Sequence, residues 1–252
     1  MDDKLNYQQV KTLFDNLDLS GLRTKTKFLK GAPFIEIIKE VQHGKHDLLI
    51  KTAEASDSML KSIFGATDMH LMRKCPCPVW IIKKSNQVKF SHIIAAIDPD
   101  PEFPENKELN KEILEHAISL ARQENSRLYI VHAWTFVGED KFRSVRSTMT
   151  KAEVDELAHM IKEDHQHWLN ETIKQHDLSG IDYKIQLLKG VPGWVISRVA
   201  AKTQADLIVM GTVARTGIEG FFIGNTAEKI LRTVDCSVLA IKPKGFKSPV
   251  KP

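Results

Sequence analysis

Cys236-Ser-Val-Leu-Ala-Ile-Lys242 repeats Cys77-Pro-Val-Trp-Ile-Ile-Lys83, which lies 159 residues earlier. The register holds without a gap from about Leu29 to Lys83. Lys30-Gly31-Ala32-Pro33 falls on Lys189-Gly190-Val191-Pro192, Asp47-Leu48 on Asp206-Leu207, Gly65 and Thr67 on Gly224 and Thr226, and Arg73 on Arg232. So many matches at one offset make the chain a tandem repeat.

The second copy reads as strands alternating with helices. Strands are predicted at 93–97, 128–133, 183–188, 207–210 and 238–241, and helices at 109–122, 151–174, 193–202 and 225–234. The helices rest on apolar stripes: Ala227, Ile230, Leu231 and Val234 share one face, as do Ile196, Val199 and Ala200, and in the first copy Phe34, Ile37, Ile38 and Val41. Five strands in this alternation predict an α/β fold, an open doubly wound parallel five-stranded sheet. Strand texture gives the order, because strands covered on both faces read as continuous apolar runs and half-covered ones alternate. Tyr183-Lys-Ile-Gln-Leu187 alternates and belongs at an edge. The first, second and fourth strands are continuous, which gives the order 3-2-1-4-5. The fifth strands of both copies are continuous although each should be an edge, so they are expected to cover one another across a pseudo-twofold.

The first copy is incomplete. Its first strand, first helix and second strand would lie about seventy residues upstream of Met1, leaving its third strand apart from the fourth and fifth, with unpaired edges. A fragment, a truncated gene model or a partner chain filling the gap would each account for this. The expected domains are 1–86, lacking that strand-helix-strand, and 87–252, complete and ending in a basic tail.

Composition limits the function classes. Of 252 residues, 42% are hydrophobic and 27% charged, ordinary for a globular protein with a sizeable core. Thirty-six basic against 32 acidic residues give a net charge of +4, too small for a nucleic-acid footprint. No apolar run approaches the roughly 18 residues of a membrane span, and the N-terminus lacks a hydrophobic signal core. Three cysteines do not make a disulfide framework. A cytoplasmic protein with no nucleic-acid and no membrane partner is expected.

In an open α/β sheet the ligand crevice lies beyond the carboxyl ends of the strands, at the switch point between strands one and four. Strand one ends at Asp98. Strand four ends at Met210-Gly211, and Gly224-Asn225-Thr226 then opens a helix. Glycines permit close backbone approach, and the free amides of a helix start favour phosphate. Asn225 is expected to cap that helix.

The run Val209-Met-Gly211-Thr-Val-Ala214-Arg-Thr-Gly-Ile-Glu-Gly-Phe-Phe-Ile-Gly224-Asn225-Thr226, followed by Val-Asp-Cys-Ser-Val-Leu-Ala-Ile-Lys-Pro, resembles the universal stress protein family. The tandem layout, with Leu71-Met-Arg-Lys-Cys-Pro-Cys-Pro-Val-Trp80 closing the first copy, is similar to its E-type subgroup. In ATP-binding members the fingerprint is Gly, two residues, Gly, nine residues, Gly, then Ser or Thr. Here Ala214 replaces the second glycine and Asn225 the hydroxyl residue. The resemblance implies a non-catalytic stress-response protein whose second copy holds an adenine nucleotide, ATP with Mg2+, weakly. The site would comprise Asp98, Ala133, Met210, Gly211, Ala214, Arg215, Gly224, Asn225 and Thr226, with adenine and ribose near Asp98 and the Ala133 backbone. Asp98 could instead only turn the Asp-Pro-Asp-Pro segment, and Arg215 could be a solvated loop arginine. At the same offset the first copy has Thr52, Ala55 and Ala66, keeps only Gly65, and is expected to bind no nucleotide. The alternatives are an adaptor or small-ligand module that has lost nucleotide binding, and a weak nucleotide phosphohydrolase. The partners implied are the intramolecular pseudo-dimer, a nucleotide and a homodimer.

Other signals have plainer readings. No Gly-x-Ser-x-Gly elbow, Walker lysine loop or Gly-x-Gly-x-x-Gly occurs. Cys75 and Cys77 read as buried thiols. His159, Glu163 and His167 read as a solvated helix face, His132 as a satisfied core histidine, and Trp168 and Trp194 as core or interface packing.

Overall fold

The computed structural model describes residues 20–54, 64–83, 89–144, 147–212 and 223–252. In chain order the elements are α1 (Pro33–Gly44), β1 (Leu49–Thr52), α2 (Ala66–Lys74), β2 (Val79–Ile82), β3 (His92–Ala96), α3 (Asn106–Glu124) and β4 (Arg127–Trp134). They continue with α4 (Glu139–Phe142), α5 (Lys151–Ile173), β5 (Tyr183–Lys189), α6 (Pro192–Thr203), β6 (Leu207–Gly211), α7 (Asn225–Thr233) and β7 (Ser237–Ile241). All fall in one compact unit, Ala32–Pro252; the other unit is Met1–Gly31. Residues 24–30, the repeat mates of β5, form no strand, so the third strand expected of the first copy is absent from the described residues. The expected domain boundary at 86/87 lies outside them.

The repeat is visible in the backbone. Pro33 and Pro192 both open a helix at its first turn, where proline's missing N–H costs nothing. Lys45 and Gln204, 159 residues apart, both end it in the left-handed conformation at φ 50°. Elsewhere local chemistry sets the limits. Thr150 starts α5 by accepting from the Glu153 amide at 3.3 Å while the Glu153 carboxylate accepts from the Thr150 amide at 2.6 Å.

One seven-stranded sheet runs β1-β2-β7-β6-β3-β4-β5. Its second-copy part, β5-β4-β3-β6-β7, is the expected order 3-2-1-4-5. All pairings are parallel except β2 with β7, which is antiparallel and joins the two copies. The two fifth strands thus cover each other edge to edge, as their apolar texture requires. β7 is buried throughout, whereas β5, at the far edge, is half-exposed. At the other edge β1 is paired only with β2 among the described residues, and Ile50 is 55% exposed.

Each sheet face has its own core. Helices α1, α2, α6 and α7 cover one, burying Ile38, Leu71, Val199 and Ile230 against Val79, Ile208 and Val238. Helices α3 and α5 cover the other, burying Leu114, Ala117 and Leu169 against Ile93, Ile130 and Val209. Fully burying a residue of this size contributes about 1.5–3 kcal/mol.

Candidate functional site

The crevice forms where β3, β4 and β6 end together. Ala96 of β3 is in register with Val131 of β4 and Met210 of β6, so Asp98, Ala133 and Gly211 lie at one end of the sheet. The start of α7 is brought to the same end because the Gly224 amide donates to the Thr212 carbonyl at 3.2 Å. Asp98, Ala133, Met210, Gly211, Gly224, Asn225 and Thr226 are thereby gathered. Ala214 and Arg215 lie outside the described residues, as does Ala55.

Three details differ from the sequence reading. Gly224, not Asn225, is the N-cap of α7 and makes no side-chain cap; Asn225 is the first helical residue. Glycine is tolerated at an N-cap, so the asparagine is displaced one position inward. The Gly224 amide is already used by Thr212, which leaves the next amides as the donors without an intrahelical acceptor. Gly211 is close-packed on its own account, since a Cβ there would sit 2.7 Å from Leu109 Cδ2 of α3.

Asp98 is clasped by α3. Its amide donates to Asn110 Oδ1 at 3.0 Å, Asn110 Nδ2 donates to its carbonyl at 2.7 Å, and Asn106 Nδ2 reaches its carboxylate at 3.5 Å. It lines a groove of about 300 Å³ with Phe103, Lys107, Asn110, Lys111 and Trp168. That groove lies between α3 and α5, and no residue of α7 lines it.

Where both copies are present, they differ at the helix that follows the fourth strand. In the first copy Asp68, 0% exposed, sits in the first turn of α2 and fills its amino end with a carboxylate. It accepts from the Gly65 amide at 3.2 Å, the Glu54 amide at 3.0 Å and Lys51 Nζ at 2.7 Å. Glu54 crowds the same place: a Cβ on Gly65 would collide with Glu54 Oε2. In the second copy the mates of Asp68, Glu54 and Lys51 are Ala227, Val213 and Met210, and no acid stands at these positions. Glu228, also in the first turn of α7, is held by Arg232 at 2.7 Å. The sequence carries this signal as an acid three residues after a helix-opening glycine in one copy and alanine in the other, and site reasoning from the glycine fingerprint alone passes over it.

Around the site the remaining candidates resolve simply. His132, 1% exposed, has both ring nitrogens engaged: Nδ1 donates to the Ile97 carbonyl at 3.2 Å, and Nε2 lies 2.8 Å from His165 Nδ1. Burial, with a smaller push from His165, lowers its pKa to about 4, so it is a neutral core histidine. Cys75 and Cys77 are buried with sulfurs 3.6 Å apart. His159, Glu163 and His167 are exposed. Trp168 is half-buried, edge-on to His165. Trp194 is not core: it is 61% exposed, with Lys229 Nζ 3.4 Å above its ring. No described helix is long and apolar enough to cross a membrane.

The profile of the universal stress protein family matches residues 3–83 and 89–242. Universal stress protein E of Salmonella typhi is 34% identical over 221 residues, covering 87% of this chain and 68% of that protein. The Escherichia coli protein of the same name is 33% identical over 220 residues, with the same coverage. Among solved structures, a functionally unknown protein of Pseudomonas aeruginosa is 27% identical, with a TM-score of 0.76 over 94% of this chain and 78% of that one. A universal stress protein of Archaeoglobus fulgidus, 17% identical, shares the fold with a TM-score of 0.63 over 95% and 79%.

Proposed function

The chain belongs to the universal stress protein family, and on that premise we propose that it acts in stress adaptation by holding an adenine nucleotide, ATP with Mg2+, weakly and without turnover in its second copy. The observation that carries this reading is the contrast between Asp68 and Ala227. A helix start attracts anions through its free amides and the positive end of its dipole. In the first copy the chain supplies that anion itself, so a phosphate would meet two carboxylates, Asp68 and Glu54, and be repelled. In the second copy Ala227 leaves the amides of Asn225, Thr226 and Ala227 to a ligand, with Gly211 and Met210 as the wall, and Asp98 and Ala133 reserved for ribose and adenine. Ala214 and Asn225 replace the fingerprint's glycine and hydroxyl residue, which makes the binding weak; Arg215 would supply a compensating charge. Among the described residues no group of His, Cys, Asp or Glu is placed to hold a catalytic metal, and we read the nucleotide as a bound signal rather than a substrate.

A second reading draws on Gly211. Because its missing Cβ makes room for Leu109, this glycine would be kept for packing with or without a ligand, as in an adaptor that has lost nucleotide binding. Calorimetric titration of the natively purified chain with Mg-ATP separates the two. The nucleotide reading expects heat with the wild type and none with Gly224→Val; a wild type without heat, and without co-purified nucleotide, leaves the adaptor.

A further inference from the structure

Thr212 is 1% exposed and joins three parts of the molecule. Its carbonyl accepts from the Gly224 amide at 3.2 Å, the bond that sets where α7 begins. Its hydroxyl donates to the Met72 carbonyl at 3.0 Å and accepts from Lys242 Nζ at 2.7 Å. Lys242, 4% exposed, also donates to the Met72 carbonyl and, at 3.3 Å, to the Arg73 carbonyl. Met72 and Arg73 belong to the last turn of α2, in the first copy, where unpaired carbonyls and the negative end of the helix dipole favour a cation.

We propose that the first copy, whose own α2 start is filled by Asp68, serves as the anchor of the second copy's site, with Thr212 and Lys242 as positioning residues that tie the start of α7 to the carbonyl end of α2. This rests on the reading of the α7 start as the phosphate site. The amides of Asn225 and Thr226 can be aimed only as firmly as Gly224 is fixed, and Gly224 is fixed to Thr212. Thr212 in turn is held by a carbonyl from across the copies, that of Met72, and by the ammonium of Lys242 in its own copy, which itself reaches the Met72 and Arg73 carbonyls. Burial of that ammonium lowers its pKa to about 7, and the nearby thiols of Cys75 and Cys77 push the other way. Three acceptors, one of them the threonine hydroxyl, satisfy its three donors.

The repeat contains its own control. Lys83 is the mate of Lys242 and also crosses between copies, donating to the Val234 carbonyl at 3.0 Å and to Asp235 Oδ1 at 3.3 Å. It therefore grips the end of α7, while Lys242 grips a residue bonded to its beginning. Removing either lysine loosens the junction, but only one removal should loosen Gly224.

The experiment measures amide exchange at Gly224 by NMR, together with Mg-ATP titration, in the full chain carrying Thr212→Val, Thr212→Ser, Lys242→Met or Lys83→Met. Thr212→Val and Lys242→Met are expected to speed Gly224 exchange and weaken Mg-ATP binding about tenfold each, the size of one lost hydrogen bond. Thr212→Ser, which restores the hydroxyl, and Lys83→Met are expected to leave Gly224 exchange within about twofold of wild type. Unchanged Gly224 exchange in Thr212→Val, or equal acceleration in Lys83→Met, would overturn the anchor. A wild type that takes up no Mg-ATP would remove the nucleotide reading, and the exchange comparison would still decide whether the first copy fixes α7.

Discussion

Trp80 lies directly opposite Leu239 in the antiparallel pairing of β2 with β7, and the two are the same position of the repeat, 159 residues apart. On either side, Val79 faces Ala240 and Ile81 faces Val238, pairs that exchange under a twofold between them. The pseudo-twofold therefore passes between Trp80 and Leu239, and the two copies share one sheet.

A shared sheet should unfold as one. Ile81, 0% exposed at this junction, is expected to cost about 2–5 kcal/mol when replaced by alanine. Urea unfolding of Ile81→Ala followed by tryptophan fluorescence and by circular dichroism should give coincident single transitions at a lower midpoint. Two separated transitions, only one of them shifted, would contradict the shared sheet.

Gly211→Ala tests what the glycine is for. Its Cβ would press on Leu109 Cδ2 at 2.7 Å, so a loss of about 1–3 kcal/mol is expected. Leu109→Ala in the same chain should recover part of that loss, giving a favourable coupling in a double-mutant cycle. Strictly additive losses would show that Leu109 is not the residue excluding a side chain at this position.

Acid should destabilise the chain through His132. Burial lowers its folded pKa to about 4, whereas the unfolded group titrates near 6.5. Below pH 6.5 the unfolded chain takes a proton that the folded chain refuses until about pH 4, so stability falls with pH across that window and levels off beneath it. The full loss from this group is about 3 kcal/mol. His165, lowered mainly by its own burial, adds in the same direction. Thermal unfolding between pH 7 and pH 4 should show a smaller decline in His132→Asn than in the wild type; an identical decline would mean His132 is not the responsible group.

The repeat carried most of the fold in the sequence. Its second copy shows α6 and α7 as apolar stripes and four of its five strands as short apolar runs, and the alternating texture of Tyr183–Leu187 placed β5 at the edge where it is found. The continuous texture of Val238–Ile241 foretold its partner strand. α4, only four residues with none buried, has no stripe to read. For Trp194 the sequence left core and interface packing open; Lys229 covers one face of the ring and the residue is 61% exposed, which removes the core reading alone. At the site, glycine spacing located the end of β6 and the start of α7. It could not show that Gly224 would take the cap, that Gly211 makes room for Leu109, or that Lys242 would reach across to α2. Those depend on distances between elements far apart in the chain.

Asp68→Ala in the first copy should cost about 1–3 kcal/mol, because the amides of Gly65 and Glu54 and the ammonium of Lys51 lose their acceptor. Lys51 retains access to solvent, its side chain being 23% exposed, which keeps the loss below that of a fully buried pair. Urea midpoints of Asp68→Ala and Asp68→Asn give the comparison, the asparagine variant keeping one acceptor and losing less. Equal stability of Asp68→Ala and wild type would deny that the carboxylate serves the start of α2.

Ala227→Asp puts the first copy's acid into the second copy's helix start, and calorimetric titration of wild type and variant with Mg-ATP tests most directly whether that start is the anion site. Binding in the wild type and at least about tenfold weaker binding in Ala227→Asp, with an unchanged circular dichroism spectrum, is the expected result. Undiminished binding in the variant, or none in the wild type, would contradict it.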